Sequence, residues 1–323
     1  MVKKINGKMM CGMLTVTLIL AGCTGCGGKK AEQMESRSEK KEEREAEANK
    51  NLPETTEQIV SGNEVEEPEW ADADWAGYFE GRNGAAVVYN AAQKQYAVYN
   101  DKTASVQRPP CSTFKIISSL TALECGAVDP DDSVRTWSGE IFWNEDWNKD
   151  LDFREAFTSS CVWYFRELID EIGKERMQEE LERLAYGNCD ISDWEGKLNT
   201  NNSNRALTGF WIESSLAISP KEQVEVMERI FGDGSVYSEH TRNELKKVML
   251  VPETDETDIL IYGKTGMGKA DGIVVDAWFT GFAEGKEGMI YFCVYLGESE
   301  GMEVSSLTAK EIAIRILSSH YGE

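Results

Sequence analysis

The chain has 323 residues, is 41% hydrophobic and carries a formal net charge of −23, with a sequence pI near 4.6. That is enough for one substantial domain plus extras, and the charge excludes nucleic acid as a natural partner. Only two histidines, His240 and His320, are present. A His-rich zinc site is therefore not expected and no metal centre is predicted, and any serine nucleophile has to find a base other than histidine.

Lys3, Lys4 and Lys8 lead into the apolar run "MMCGMLTVTLIL" (9–20). The run is too short to span a bilayer comfortably and has the length of a secretory signal core. It ends in Leu20-Ala21-Gly22-Cys23, which resembles the lipobox of bacterial lipoproteins. That resemblance implies a signal peptide over 1–22, cleavage before Cys23, lipid attachment to its thiol, and export to the outer face of a bacterial membrane. Residues 23–76 are read as an acidic tether: 29–75 hold 15 acidic and 7 basic side chains and few large apolar ones, too little to offset ordering entropy.

A globular pattern begins near residue 77 and defines a domain over 77–323. "AAVVYNAAQKQYAVYN" (85–100) predicts two strands joined by a turn. "STFKIISSLTALECG" predicts a helix with apolar positions at 116, 120 and 123 that stops at Gly126. "VWYFRELIDEIGKERMQEELERLA" reads as two helices interrupted near Gly173, and Ser219-Pro220 with Glu222 forms an N-cap, a first-turn proline and a capping box. "DILIYGKTG", "DAWFTGFAEG" and "MIYFCVYLG" are strand-like with short links, which imply antiparallel neighbours. A last amphipathic helix covers roughly 306–318. The fold class is α+β: an antiparallel sheet flanked by helices, with a mostly helical subdomain. Five cysteines (111, 125, 161, 189, 293) fall in the domain, an odd number whose pairing the sequence leaves open; Cys125 and Cys293 read as small buried apolar residues.

Ser112 and Lys115 stand three residues apart after the rigid pair Pro109-Pro110, so hydroxyl and amine share one helix face. SxxK alone is weak, since Ser38 and Lys41 match it inside the charged tether. The context differs: free backbone N–H groups of a first helical turn favour developing negative charge, and the apolar neighbours Phe114, Ile116 and Ile117 imply burial, which drives a lysine toward its neutral, basic form. "YGKTG" places Lys264 and Gly266 on one strand face: the lysine offers a cation for a carboxylate, and the glycine allows close approach. Taken alone, Ser160 in "SCV" reads as a helix N-cap, "YGN" (186–188) as a helix-ending turn with Gly187 suited to positive φ, and Trp211 in "FWIESSLAIS" as a core tryptophan.

In order and spacing, "STFK", "SCV", "YGN", "FWIESSLAIS" and "KTG" closely resemble the class D, oxacillinase-type β-lactamases, and equally the penicillin-sensing domains related to them. The resemblance runs from roughly residue 80 to 320. It implies β-lactam hydrolysis, with antibiotic resistance as the outcome, through an acyl-enzyme on Ser112. Lys115 would be N-carboxylated by carbon dioxide and act as general base, with no other cofactor. Ser160 and Lys264 would relay the proton to the leaving nitrogen. Thr265, with Lys264, would hold the substrate carboxylate, and Gly266 lies between Thr265 and the oxyanion-hole N–H of Met267, which would act with that of Ser112. Val162 would keep the pocket dry, Trp211 would donate to the carbamate, and Tyr186 and Asn188 would shape the pocket wall. The expected partners are a β-lactam and, through Cys23, a membrane; nothing in the sequence indicates an oligomeric state. Two departures stand out. The stretch "CDISDWEGKLNTNNSNRALTG" between Asn188 and Phe210 is long and polar. The arginine that many relatives place before the last helix is absent, leaving Lys264, Thr265 and Lys310 for the carboxylate. The rival expectation is a sensor lipoprotein that stays acylated.

Overall fold

The computed structural model describes residues 68–198, 203–254, 259–286 and 288–322. The expected signal peptide, Cys23 and nearly all of the expected tether lie outside these residues. In chain order the elements are β1 (Glu69–Asp72), α1 (Ala76–Phe79), β2 (Gly84–Asn90), β3 (Gln95–Tyr99), α2 (Asp101–Ala104), α3 (Lys115–Cys125), α4 (Phe153–Thr158), α5 (Val162–Ile172), α6 (Lys174–Leu184), α7 (Pro220–Phe231), α8 (Glu239–Met249), β4 (Leu260–Ala270), β5 (Ile273–Gly285), β6 (Gly288–Gly297) and α9 (Ser306–Tyr321). The strands form one sheet in the order β1-β3-β2-β6-β5-β4.

Period-two alternation assigns the strand residues to two apolar layers. Ala85 and Val87, Trp278 and Phe282, and Tyr291, Cys293 and Tyr295 face the layer that also holds Ile116, Leu120, Leu168 and Val224 from α3, α5 and α7. Their neighbours Ala86, Val88, Ala277, Phe279, Phe292 and Val294 face Ile312, Ala313 and Ile316 of α9, with Trp75 and Phe79. Both faces of the sheet are covered, which is why β5 and β6 read as continuous apolar runs.

Local signals in the chain correspond to the helix ends. Gly126 ends α3 in the left-handed region at φ +73°. Gly173 separates α5 from α6, and Ser219 and Glu222 cap α7 reciprocally with Pro220 in its first turn.

Two expectations need correction. The tether does not reach residue 76: Glu69–Asp72 already forms β1, Trp70 stacks on Tyr96 with ring centroids 4.0 Å apart, and Trp75 is buried. The dense acidic charge hid a four-residue strand that carries Trp70 and is followed by the buried Trp75. The sheet is also not wholly antiparallel, because β1 pairs parallel with β3 while every other pairing is antiparallel. A chain beginning at residue 77 is therefore expected to be less stable than one beginning at 65 by about 3–5 kcal/mol, the loss associated with removing a single buried tryptophan side chain. Urea titration of the two forms measures this, and coincident midpoints would show β1 and Trp75 to be dispensable.

Candidate active site

Pro110 feeds a 3-10 turn, Cys111–Phe114, that continues directly into α3. In such a turn residues i and i+3 eclipse, and the Lys115 Nζ–Ser112 Oγ distance is 2.9 Å. Lys115 is 1% exposed, and its amine sits 5.4 Å from the centre of the Phe165 ring. Burial pulls its pKa down to about 8, with the neighbouring Cys161 and Cys111 opposing. Near neutral pH about a tenth of such an amine is uncharged, a far larger share than for an ordinary lysine. The two thiols are poor rival nucleophiles: burial raises Cys161 to about 11 and moves Cys111 well upward, so both stay protonated.

β4, the sheet edge, runs past this turn. Lys264 is 5% exposed, with its Nζ 3.2 Å from the Thr265 carbonyl oxygen and 5.7 Å from the centre of the Phe157 ring. Burial, reinforced by the charge of Lys115, holds its pKa well below the ordinary lysine range. The site thus contains two amines whose basicity burial lowers. Gly266 is required for the close approach: a Cβ there would lie 2.9 Å from both the Pro110 carbonyl oxygen and Thr113 Cγ2. Met267 follows, paired with Ala277 in β5, its side chain 39% exposed. Lys264 and Thr265 open into a groove of about 290 Å³ that Arg154, Thr158 and Lys310 also line.

The third wall is the α4–α5 junction. Asp152 and Glu155 cap α4 reciprocally, and Trp147 Nε1 donates to the Ser159 carbonyl at 3.0 Å. Ser160 is not the cap of α5, as its sequence context had suggested. Cys161 occupies that position, and Ser160 sits in the left-handed region at φ +58°. Val162 begins α5, half-buried against the core. Cys111 (φ +50°) and Glu213 (φ +49°) share the left-handed conformation. Non-glycine residues held this way cost about 1–3 kcal/mol each and persist only where the surroundings over-determine them. Glu213 illustrates this: its Oε1 accepts from the Lys269 N–H at 2.8 Å, pinning the C-terminal end of β4 to the segment after Trp211.

Trp211 is fully buried. Its carbonyl accepts from the Cys111 N–H at 3.0 Å, and its ring lies parallel to Phe114 at 6.0 Å. Tyr186 meets the same Phe114 edge-on at 5.7 Å. Asn188 is exposed, and its amide bridges the Ser215 carbonyl and the Ala217 N–H. It thereby braces the Ser215–Ala217 segment. Gly187, at φ +52°, packs so closely on that segment that a Cβ would come within 2.0 Å of the Ala217 carbonyl oxygen.

The histidines lie elsewhere: His240 is exposed on α8, and His320 contacts Tyr78 and Trp75. All five described cysteines are free; Cys293 is buried and Cys125 half-buried. Sequence reasoning had passed over Phe165, Cys161, Glu213 and Arg166. Phe165 and Arg166 were visible only as part of a helical run, and the left-handed backbone of Glu213 leaves no mark on residue type.

Comparison with known proteins agrees with this arrangement. Residues 80–318 match the penicillin binding protein transpeptidase domain. The regulatory protein BlaR1 of Bacillus licheniformis is 30% identical over 246 residues, 76% of this chain and 38% of BlaR1, so the chain spans little more than a third of that relative. The probable β-lactamase YbxI of Bacillus subtilis strain 168 is 32% identical over 240 residues, 74% of this chain and 81% of YbxI. A crystal structure of a class D β-lactamase from Bacillus subtilis superposes with a TM-score of 0.66 at 31% identity, covering 77% of this chain and 96% of that one. With the SxxK turn, the KTG edge strand and the SxV junction converging on one buried lysine pair, the chain belongs to the penicillin-binding-protein transpeptidase family, in the group that holds the class D serine β-lactamases and the BlaR1 receptor domain.

Proposed function

We propose that the protein is a serine β-lactamase that opens β-lactam antibiotics through an acyl-enzyme on Ser112. The observation that carries this reading is the 2.9 Å contact between Ser112 Oγ and the buried amine of Lys115, whose pKa is lowered to about 8. Ser112 attacks the lactam carbonyl as its proton passes to the lysine base. The N–H groups of Ser112 and Met267 face the developing oxyanion. Lys264 and Ser160 deliver a proton to the ring nitrogen as the C–N bond breaks, and Thr265 and Lys310 receive the substrate carboxylate.

Deacylation needs a base for water, and no histidine is at hand. N-carboxylation of Lys115 supplies one. The neutral amine forms an N–C bond to carbon dioxide, one C=O electron pair moves onto oxygen, and a proton leaves to solvent. The surroundings fit such a group: burial raises the uncharged share of the amine, and Phe165, Phe114 and Trp211 keep the neighbourhood apolar. The carboxylated Lys115 then takes the proton of Ser112 and afterwards that of water.

Mass spectrometry of residues 65–323 mixed with a penicillin tests the function. An adduct on Ser112 is expected to form and then decay to free protein within minutes. The similarity to BlaR1 makes a sensor the competing reading, and an adduct that persists for hours would select it.

The proposal extends to location. The Leu20-Ala21-Gly22-Cys23 motif supports a lipid anchor on the outer face of the membrane. Cells given radiolabelled fatty acid are expected to label the full chain and not its Cys23→Ala variant. Equal labelling would exclude the anchor at that position.

A further inference from the structure

Arg166 belongs to no part of the chemistry described above, yet it is 7% exposed in the middle of α5, one residue beyond the Phe165 that covers the Lys115 amine. A buried guanidinium requires partners for its donors, and here each is aimed at the long polar loop that follows Asn188 or at what holds that loop. Its Nε donates to Asp170 Oδ2 at 2.9 Å and its Nη2 to the other oxygen of the same carboxylate, a fork-to-fork pair one helical turn along α5. Its Nη1 donates to the Trp194 carbonyl at 2.9 Å. The Trp194 indole N–H returns to Asp170 Oδ1 at 3.1 Å.

The flat face of the same cation is shared by two indoles. It lies 5.3 Å from the Trp194 ring and 5.4 Å from the Trp211 ring. Phe210 stacks on Trp194 at 5.1 Å and meets Trp211 edge-on at 5.1 Å, closing the cluster. The Trp211 ring is threaded over its own backbone: a Cβ on Gly209 would fall 2.0 Å from Trp211 Cζ3. The ring is thus packed against Gly209, with Phe114, Phe210 and the Arg166 guanidinium as its other neighbours. Trp211 in turn touches the catalytic turn twice, through the Cys111 N–H and the Phe114 ring, on either side of Ser112 and next to Lys115.

We infer that Arg166 is a positioning residue for the lysine base: clamped by Asp170 and the Trp194 carbonyl, it presses Trp211 against the Cys111–Phe114 turn and so sets how firmly Lys115 retains its carboxyl group. A guanidinium suits this task because one planar group can stack on indoles while its edge bonds a carboxylate and a carbonyl; an ammonium does one or the other. This inference rests on the carbamate reading of Lys115 and makes the long loop after Asn188 part of the machinery, since Trp194 belongs to it.

The test uses the full chain, titrated with ¹³C-labelled bicarbonate and followed by the carbamate carbon resonance. Arg166→Gln is expected to raise the bicarbonate needed for half-carboxylation about tenfold, the equilibrium effect of losing one desolvated cation–π contact. Arg166→Lys is expected to resemble Arg166→Gln, because charge without the planar fork does not hold both indoles. Asp170→Asn alters a half-exposed carboxylate with little risk to folding, and is expected to shift the midpoint in the same direction by a smaller factor. Saturating bicarbonate is expected to return the penicillin turnover of all three variants to near the parent value, a rescue that a purely structural defect would not show. The inference is overturned if Arg166→Gln and Asp170→Asn both carboxylate at the parent midpoint while Trp211→Ala shifts it, or if activity is lost and bicarbonate does not restore it. If the parent itself shows no carbamate resonance, the base assignment fails first, and this role for Arg166 fails with it.

Discussion

Lys115→Ala is expected to lower β-lactam turnover by about 10²–10⁴-fold, the usual contribution of a positioned general base. The geometry points to the upper end of that range, because Lys115 Nζ is the group within hydrogen-bonding distance of Ser112 Oγ among the described contacts. The change also removes one of the two buried amines whose basicity burial lowers. Stopped-flow mixing with a chromogenic cephalosporin, with mass spectrometry of the quenched protein, separates the two steps. Turnover within tenfold of the parent would mean that another group serves as base.

Turnover is also expected to fall steeply as the pH drops below about 8, and bicarbonate should restore it. The sign follows from Lys115. Its ammonium form dominates below its lowered pKa, only the neutral amine can carboxylate, and carboxylation itself releases a proton. Carboxylation therefore declines at least tenfold per pH unit on the acidic side of about 8 when carbon dioxide is held constant. In degassed buffer near pH 6 the protein should be nearly silent, and added bicarbonate should recover most of its activity. Trp211→Ala should deepen the requirement, since it removes an indole from the turn that carries the base and opens the site to water. A flat profile between pH 6 and 8, the same with and without bicarbonate, would rule out the carbamate.

Much of the scaffold was legible because its signals are local. The Ser219-Pro220-Glu222 start of α7, the stops at Gly126 and Gly173, and the turn between β2 and β3 depend on residues within four positions of one another. The motif order was legible for the same reason, each element being a run of three to ten residues that keep their spacing in the chain. β1 was not legible: a four-residue parallel edge strand carries no pattern of its own, and the acidic charge around it reads as solvated chain. The bonding of Asn188 was not legible either, because a residue's type does not say which segment its amide will bond.

By itself the sequence determined the α+β class, the hairpins and capped helices, the serine and lysine one turn apart, and the lack of a histidine to serve them. All of these are set by neighbours along the chain and by composition. Only the tertiary structure decided that the Lys115 amine is buried beneath Phe165, that β4 passes close enough to need glycine at 266, that Cys111, Ser160 and Glu213 are held in left-handed backbone, and that Arg166 reaches Trp211 from a helix 45 positions away in sequence. Close backbone approach and stacking between distant segments are properties of packing; the apolar neighbours of Lys115 gave the direction in which its basicity moves, and packing set how much water it loses.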